Sequence, residues 1–215
     1  MENSILIVGA TGLVGSTFLK LVQNNPTYIK IIILTRREIP SVQGFPNVEQ
    51  HVVDFDKLEE CKQIIKADTI VCTLGTTIKK AGSQEKFYKV DHDLPIQVAQ
   101  YAFENGSKNY ILVSAIGANP DSKIFYNRVK GEVERDIRKL NLKSFHVLRP
   151  SLILGDREEF RIAEQLGKVF SKVMNLIFPD KYKPVHASVL AKKIDSVVKF
   201  PSKGFHTYEG KQLYV

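Results

Sequence analysis

The sequence predicts an α/β fold with a doubly wound parallel sheet and a small C-terminal substrate region. Three observations predict it. Short apolar runs alternate with helix-length segments, the runs are apolar at consecutive positions, and glycines follow the first run directly. Strands that are apolar on both faces are typical of a parallel sheet covered by helices on both sides, since a half-exposed strand would alternate instead.

Six apolar runs are predicted strands, and two segments between them have a clear helical pattern. The strands are expected at 5–8, 29–34, 48–53, 69–74, 110–113 and 145–148, and the helices at 94–103 and 124–140. In a doubly wound sheet, ligands bind outside the carboxyl ends of the strands. Residues that directly follow each run are therefore the candidates for function.

Length and composition indicate one globular domain. The chain has 215 residues, 43% hydrophobic and 25% charged, which excludes disordered, collagen-like and coiled-coil proteins. We expect a single domain over 1–215, with 151–215 contributing the substrate side. The two cysteines, Cys61 and Cys72, have no histidine at metal-ligand spacing, so neither a metal site nor a disulfide framework is predicted.

Charge and the N-terminal residues bear on partners and location. The net charge of +8 comes from the second half, where basic and acidic residues are interleaved as on a solvated helix face. No nucleic-acid partner is therefore expected, while a protein partner or homo-oligomer stays open. The first apolar run ends at Val8, too short for a signal peptide or transmembrane segment, so cytoplasmic residence is expected.

Glycines at 9, 12 and 15 form a G-x-x-G-x-x-G turn between the first strand and a helix. Such a turn lets a pyrophosphate approach the backbone at a helix N-terminus, where N–H groups are unpaired. The context favours a nucleotide-binding Rossmann fold over a merely structural turn. The predicted contacts are Gly9, Thr11, Gly12, Leu13, Val14 and Gly15.

The end of the second strand distinguishes between cofactors. An NAD site usually has an acidic residue there, whereas this chain has Arg36 and Arg37. Guanidinium groups match the geometry of a phosphate, so the sequence favours NADP(H). The alternative is two solvated surface arginines.

Two further strand ends supply candidate cofactor contacts. Asp54 and Phe55 follow the third strand and are predicted to flank the adenine, although Asp54 is equally suited to cap a helix. Leu74, Gly75 and Thr76 follow the fourth strand, where a cofactor would pass closest to the backbone.

Three residues form the predicted catalytic group. Ser114 ends the fifth strand, and Tyr126 and Lys130 lie one turn apart on the following helix. An ammonium near a phenol favours the phenolate, so Tyr126 would exchange a proton with a carbonyl oxygen while Ser114 hydrogen-bonds that oxygen. The alternative is a packed tyrosine beside a surface lysine.

These residues resemble the short-chain dehydrogenase/reductase superfamily over the first 151 residues. The segments 72–77, 90–91, 126–132 and 149–150 are similar to its atypical branch related to the Tat-interacting-protein oxidoreductase. The resemblance implies NADPH as cofactor, a second role for Lys130 on the nicotinamide ribose, and passage of Pro150 and Ile153 beside the nicotinamide. Many members have Asn where this chain has Asp91.

The expected function is therefore NADPH-dependent reduction of a carbonyl on a small, apolar substrate, with Tyr126 as general acid/base. The rival is an NADP(H)-binding redox sensor with little turnover, and a nucleotide-sugar epimerase ranks third because few residues remain after Pro150. An amphipathic helix at 161–178 would pack on the core, cover the substrate, contact another subunit or lie on a membrane surface. His146 is expected to be a core or interface histidine.

Overall fold

The computed structural model describes residues 3–155 and 180–215, so the helix expected at 161–178 lies outside the described residues. The strands are β1 Asn3–Val8, β2 Tyr28–Thr35, β3 Val48–Val52, β4 Thr69–Cys72, β5 Asn109–Val113, β6 Ser144–Arg149, β7 Ile153–Leu154, β8 Val185–His186 and β9 Gly204–Glu209. The α-helices are α1 Leu13–Val22, α2 Ile78–Ala81, α3 Gln84–Tyr88, α4 Leu94–Glu104, α5 Phe125–Arg138 and α6 Ala187–Lys199.

Seven strands form one parallel sheet in the order β3-β2-β1-β4-β5-β6-β9. The order reverses direction at β1, as in a doubly wound sheet, so the predicted fold class is confirmed. The reversal places the ends of β1 and β4 side by side, which is where a crevice opens.

Both faces of the sheet are covered by apolar helices. On one face, α1 and α6 pack together over β1 and β2, and their buried residues include Phe18, Leu190 and Ile194. On the other face, α4 and α5 cover β4, β5 and β6. Burial on both sides explains why the inner strands are apolar at consecutive positions.

The C-terminal residues supply the last strand of the main sheet. β9 is the edge strand beside β6, and sequence patterning did not predict it because its residues are of mixed polarity and only half-buried. The short strands β7 and β8 pair separately as a parallel two-stranded sheet. The expected C-terminal region therefore also contributes α6 and β9 to the main layers.

A π-helical turn, Lys89–Asp93, joins α3 to α4 in one continuous helical segment. It turns two consecutive polar residues, Asp91 and His92, into the protein. Nε2 of His92 lies 3.2 Å from Oδ2 of Asp136 on α5, and Asp91 also faces α5. π-Turns are uncommon and often occur at functional sites, so the residues that this one turns toward α5 are candidates for function.

His146 is fully buried in β6, as expected of a core histidine. Ser144 donates to the Ser202 carbonyl, so its oxygen accepts from Nε2–H of His146 at 2.7 Å, while Nδ1 accepts from Tyr208 at 2.9 Å. Both ring nitrogens are thus satisfied in the neutral form. Burial, with a smaller effect of His206, lowers the pKa of His146 to about 4.

His146 predicts a pH dependence of stability. Because its pKa falls from the ordinary 6.5 to about 4 on folding, the unfolded chain binds more protons between these values. The free energy of unfolding should therefore fall as the pH drops through this window, by on the order of 3 kcal/mol from this group. Urea unfolding at pH 7 and pH 4.5 measures this. Between these pH values, the free energy of unfolding should decrease less for His146→Gln than for the wild type.

Substitution of the exposed His186 by glutamine is the control, because it removes a histidine from the surface and leaves β6 unchanged. Equal pH dependence in the wild type and His146→Gln would show that the buried imidazole is not responsible.

Candidate functional site

A groove of about 1050 Å³ lies along the carboxyl ends of β1, β2, β3 and β4. This volume is at the upper end of the roughly 300–1,000 Å³ of small-molecule sites. Nine of the predicted cofactor contacts line it: Gly9, Thr11, Gly12, Arg36, Asp54, Phe55, Leu74, Gly75 and Thr76. Residues from four strand ends, far apart in the sequence, therefore converge on one surface.

The turn after β1 needs two of its glycines for packing. Gly9 has a φ of +89°, and a Cβ there would lie 2.7 Å from the Thr73 carbonyl carbon. A Cβ on Gly15 would overlap the carbonyl oxygen of Gly9. These two glycines bring α1 close against the end of β4, and this packing shapes the floor of the groove.

Gly12 has a different role, because it begins α1 and faces the groove. Its φ of −73° suits any residue, and the helix has no side-chain cap there. The first N–H groups of α1 thus have no side-chain acceptor, which is the setting in which a helix binds an anion. Leu13, Val14 and Gly15, which were also predicted as cofactor contacts, do not line the groove.

The two arginines after β2 are placed differently. Arg36 lines the groove, whereas Arg37 is exposed and does not line it. Asp54 lines the groove and also caps the 3₁₀ helix Phe55–Ile64 by accepting from the amide of Asp56 at 2.9 Å. Both alternatives raised for Asp54 are therefore compatible with its position.

Three lysines that line the groove were not predicted from the sequence. Lys80, Lys86 and Lys89 line it from α2, α3 and the π-turn. Nζ of Lys89 lies 2.7 Å from Asp56, which follows β3. The cluster of lysines at 79–89 is visible in the sequence, but only the fold shows that three of its members line the same groove as Arg36. With Arg36, these side chains make the groove suited to an anionic ligand.

Tyr126 and Lys130 lie on α5, and neither of them lines the groove. The Tyr126 ring is half-buried with its centroid 5.6 Å from that of the buried Phe87. Lys130 is buried, and its Nζ lies 2.7 Å from Oδ1 of Asp91. A Cβ on Gly75, which lines the groove, would lie 3.8 Å from that Nζ. The ammonium is therefore directly behind the groove wall.

Burial and pairing act against each other in the Asp91–Lys130 pair. Burial raises the pKa of Asp91, an effect that Lys130 and the Thr76 amide only partly offset. Burial alone would lower the pKa of Lys130, but the attraction of Asp91, with a contribution from Tyr126, raises it above its ordinary value. Lys130 therefore carries a positive charge at neutral pH.

Ser114 lies at the end of β5, but its hydroxyl donates to Oε1 of Glu134. Glu134 is buried and also accepts from Arg149, whose Nε lies 3.1 Å from both carboxylate oxygens and whose Nη2 lies 2.5 Å from Oε2. Nη1 of Arg149 donates to Glu209 at 2.8 Å. Hydrogen bonding to Glu134 is the chief reason why the pKa of Arg149 is raised. This network ties α5 to the ends of β5, β6 and β9.

The residues that follow β6 pass close to the start of α1. Pro150 is buried, and its carbonyl accepts from the amide of Ile116 at 2.8 Å. Ile153 is half-buried in β7. A Cβ on Gly155 would overlap the side chain of Leu13, so this segment passes the start of α1. Pro150 and Ile153 do not line the groove itself.

Comparison with known proteins places the chain in a family. The HIM1 family matches residues 30–183. The chain belongs to the HIM1 family. The rat protein HTATIP2 is 37% identical over 173 residues, 79% of this chain and 71% of the rat protein. FMP52 of Saccharomyces cerevisiae, named as mitochondrial, is 40% identical over 157 residues, 71% of this chain and 66% of the yeast protein.

These relatives confirm the expected resemblance to the atypical dehydrogenase/reductase branch. Solved structures support the fold of this HIM1-family chain. WbmH of Bordetella bronchiseptica, in complex with NAD⁺, superposes with a TM-score of 0.74 and 16% identity, covering 97% of this chain and 75% of that one. The oxidoreductase ylbE of Lactococcus lactis superposes with a TM-score of 0.65 and 20% identity, covering 91% of this chain and 84% of that one. At these identities the likeness shows the fold alone.

The expected cytoplasmic location is wrong, because the fungal relatives at 33–40% identity are named mitochondrial. A short apolar run argues only against a secretory signal peptide, whereas organelle targeting segments are amphipathic. Within 3–155 and 180–215, no helix is long and apolar enough to cross a membrane. The same described residues contain no group of three or more His, Cys, Asp or Glu that could hold a metal ion.

The glycine turn gives a matched pair of substitutions. Gly15→Ala should lower the free energy of unfolding by about 3 kcal/mol or more, because the added methyl overlaps a backbone oxygen that cannot move freely. Gly12→Ala should cost clearly less than Gly15→Ala, because its Cβ would lie 3.2 Å from the Gly9 oxygen, a close contact that a shift of a few tenths of an ångström relieves. Denaturant unfolding measures both, and equal losses would contradict the assigned packing of Gly15.

Proposed function

We propose that this HIM1-family chain is an NADP(H)-dependent oxidoreductase that reduces a carbonyl group on a small, apolar substrate. One observation carries the proposal. The groove is lined by Gly12, where the uncapped α1 begins, by Arg36 and by Gly75, and Lys130 lies directly behind Gly75. This arrangement supports an anion-binding part and a proton-transfer part within one site.

The residues of the groove fit a phosphorylated dinucleotide. The turn at Gly9 and the start of α1 would hold the diphosphate, because backbone N–H groups and the helix dipole favour negative charge there. Arg36 would bind the 2′-phosphate, with Asp54 and Phe55 flanking the adenine. Leu74, Gly75 and Thr76 would line the path toward the nicotinamide. Pro150 and Ile153 would lie on the far side of the ring.

Tyr126 supplies the proton in this mechanism. When bound, NADPH would supply a hydride to the carbonyl carbon. The Tyr126 hydroxyl gives its proton to the carbonyl oxygen, and the Lys130 ammonium stabilises the phenolate that remains. Lys130 would also hold the nicotinamide ribose. Ser114 would hydrogen-bond the carbonyl oxygen, which requires its hydroxyl to leave Glu134 when substrate binds.

We further propose that 1–215 form one domain, with 151–215 on the substrate side. By analogy with its relatives named mitochondrial, the chain would act in mitochondria. Fractionation of cells that produce the tagged protein tests this location.

Arg36 should determine the preference for NADPH. Arg36→Ala should weaken NADPH binding by about 10- to 100-fold, because a charge-assisted contact to phosphate is lost, and should leave NADH binding unchanged. Arg37→Ala is the matched control, since Arg37 does not line the groove. Dissociation constants for both cofactors test this, and similar wild-type values for NADPH and NADH would refute the assignment.

Tyr126→Phe should abolish reduction while cofactor binding is kept. The variant loses only the hydroxyl, so NADPH oxidation should fall by about 100-fold or more at an unchanged NADPH dissociation constant. Purified protein is tested with aldehydes, ketones and quinones, following NADPH absorbance. Unchanged turnover in the variant would remove Tyr126 from the mechanism.

A second candidate is an NADP(H)-binding redox sensor with little turnover. The observation that favours it is the engagement of two catalytic candidates by protein carboxylates, Ser114 by Glu134 and Lys130 by Asp91. Tight NADPH binding without oxidation by any member of the carbonyl panel would support the sensor over the reductase.

A further inference from the structure

Glu134 is a buried carboxylate on α5 to which the proposed mechanism assigns no role. It lies one turn after Lys130, and its side chain is 5% exposed. Both of its oxygens accept from Arg149, through Nε at 3.1 Å and Nη2 at 2.5 Å. Oε1 also accepts the hydrogen bond of the Ser114 hydroxyl. This buried charge is therefore paired with a cation and also bound to a proposed site residue.

The guanidinium of Arg149 favours the ionised form of this carboxylate. A guanidinium stays charged in proteins and only donates hydrogen bonds. It donates to both oxygens of Glu134, and its Nη1 donates to Glu209 at 2.8 Å. Such charge-assisted contacts require acceptors that carry no proton of their own. Glu134 can thus accept the Ser114 proton but has none to give in return.

The contact with Glu134 determines what Ser114 can offer to a ligand. A serine hydroxyl has one proton and two lone pairs. Its proton is directed to Glu134, and the Ser114 amide donates to the Leu148 carbonyl at 2.8 Å, which anchors the backbone. Within 3–155 and 180–215, no group donates to the Ser114 hydroxyl oxygen. What remains available on Ser114 is therefore a hydrogen-bond acceptor.

A simple carbonyl group does not match this acceptor. Its oxygen has lone pairs and no proton, so it can bind the Ser114 hydroxyl only after that hydroxyl leaves Glu134. A hydrogen bond to a charged acceptor is roughly twice as strong as one to a neutral acceptor, so this exchange is unfavourable. A hydroxyl on the carbon next to the carbonyl does match, because it donates to Ser114 while the contact with Glu134 is kept.

We propose that Glu134 is a positioning residue that keeps Ser114 as a hydrogen-bond acceptor, and that the site thereby selects carbonyl compounds with a hydroxyl on the neighbouring carbon. The inference rests on the proposed function, in which Tyr126 and Ser114 meet the reacting group. The substrate hydroxyl donates to Ser114 and is unchanged. The carbonyl carbon receives the hydride of NADPH and its oxygen the proton of Tyr126, which gives a vicinal diol and NADP⁺.

Two pairs of ketones test the proposal, because the members of each pair differ only in having a hydroxyl or a methyl group at the same position. The pairs are hydroxyacetone with butanone and α-hydroxyacetophenone with propiophenone. NADPH absorbance gives kcat/KM for each ketone. The wild type should prefer the hydroxyketone by about 10-fold or more in at least one pair, because a methyl group leaves Ser114 unpaired. Equal values within both pairs would overturn the proposal.

Glu134→Gln should remove this preference. Because Arg149 only donates, the glutamine oxygen would face Arg149 and the amide NH2 would donate to Ser114. The Ser114 proton is then free to meet a carbonyl oxygen, so the ratio of kcat/KM for hydroxyketone to that for ketone should fall by about 10-fold. A general loss of folded protein lowers both values together and leaves their ratio unchanged, so the ratio distinguishes positioning from stability.

Glu209→Gln is the matched control. It makes the same chemical change on the same guanidinium, but Glu209 is 30% exposed and does not bind the Ser114 hydroxyl. Its ratio should stay within about twofold of the wild type, since Ser114 keeps its contact with Glu134. An unchanged ratio in Glu134→Gln, or an equal fall in Glu209→Gln, would overturn the proposal.

Ser114→Ala keeps the test decisive if circular dichroism shows that Glu134→Gln does not fold. This variant removes the acceptor and leaves the ion pair of Glu134 with Arg149 in place. The ratio of hydroxyketone to ketone should fall by about 10-fold here as well, because neither ligand then finds a partner at position 114. A preference for the hydroxyketone that persists in Ser114→Ala would show that Ser114 does not select it.

Failure of the proposed reductase function would be seen separately. If no ketone oxidises NADPH, quenching of NADPH fluorescence measures how tightly each ketone binds the NADPH complex. Tighter binding of the hydroxyketone that is lost in Glu134→Gln would support the role of Glu134 and argue against reduction. Equal binding within both pairs, or no binding, would overturn the role of Glu134. Conversely, equal turnover of hydroxyketone and ketone would refute only the selection and leave the reductase in place.

Discussion

The burial of charge on one face of α5 is the constraint on which the site depends. Tyr126, Lys130 and Glu134 follow one another at four-residue spacing, so they lie on the same side of the helix. Two of them are ionisable side chains taken almost completely out of water. Such groups are strongly unfavourable without partners, and their partners come from other elements, Asp91 from the π-turn and Arg149 from β6.

These two ion pairs have different consequences. The Glu134–Arg149 pair also contacts Ser114 and Glu209. It thereby connects α5 with the ends of β5, β6 and β9. The Asp91–Lys130 pair connects α5 with the wall of the groove through the amide of Thr76. The directional contacts between these charged groups add to the packing that holds α5 in one register.

In the proposed function, the groove would separate two chemical tasks along its length. Near β1 and β2 it is lined by the start of α1 and Arg36, and three lysines that also line it add positive charge. Near β4 it is lined by Gly75, behind which the buried Lys130 lies. An anionic ligand bound at the first end would be oriented toward the second, which is how a doubly wound sheet combines binding and chemistry in one crevice.

Local patterns in the sequence determined the first six strands, the glycine turn and the face of α5, because each depends on residues close together in the chain. Tertiary structure alone decided that β9 completes the sheet, that Lys80, Lys86 and Lys89 line the same groove as Arg36, and that Arg36 rather than Arg37 lines it. It also decided that Asp91 meets Lys130, 39 positions later, and that Ser114 donates to Glu134. The physical reason is that the spacing of residues specifies which face of an element is apolar, whereas the partner of a buried charge depends on which elements meet in space.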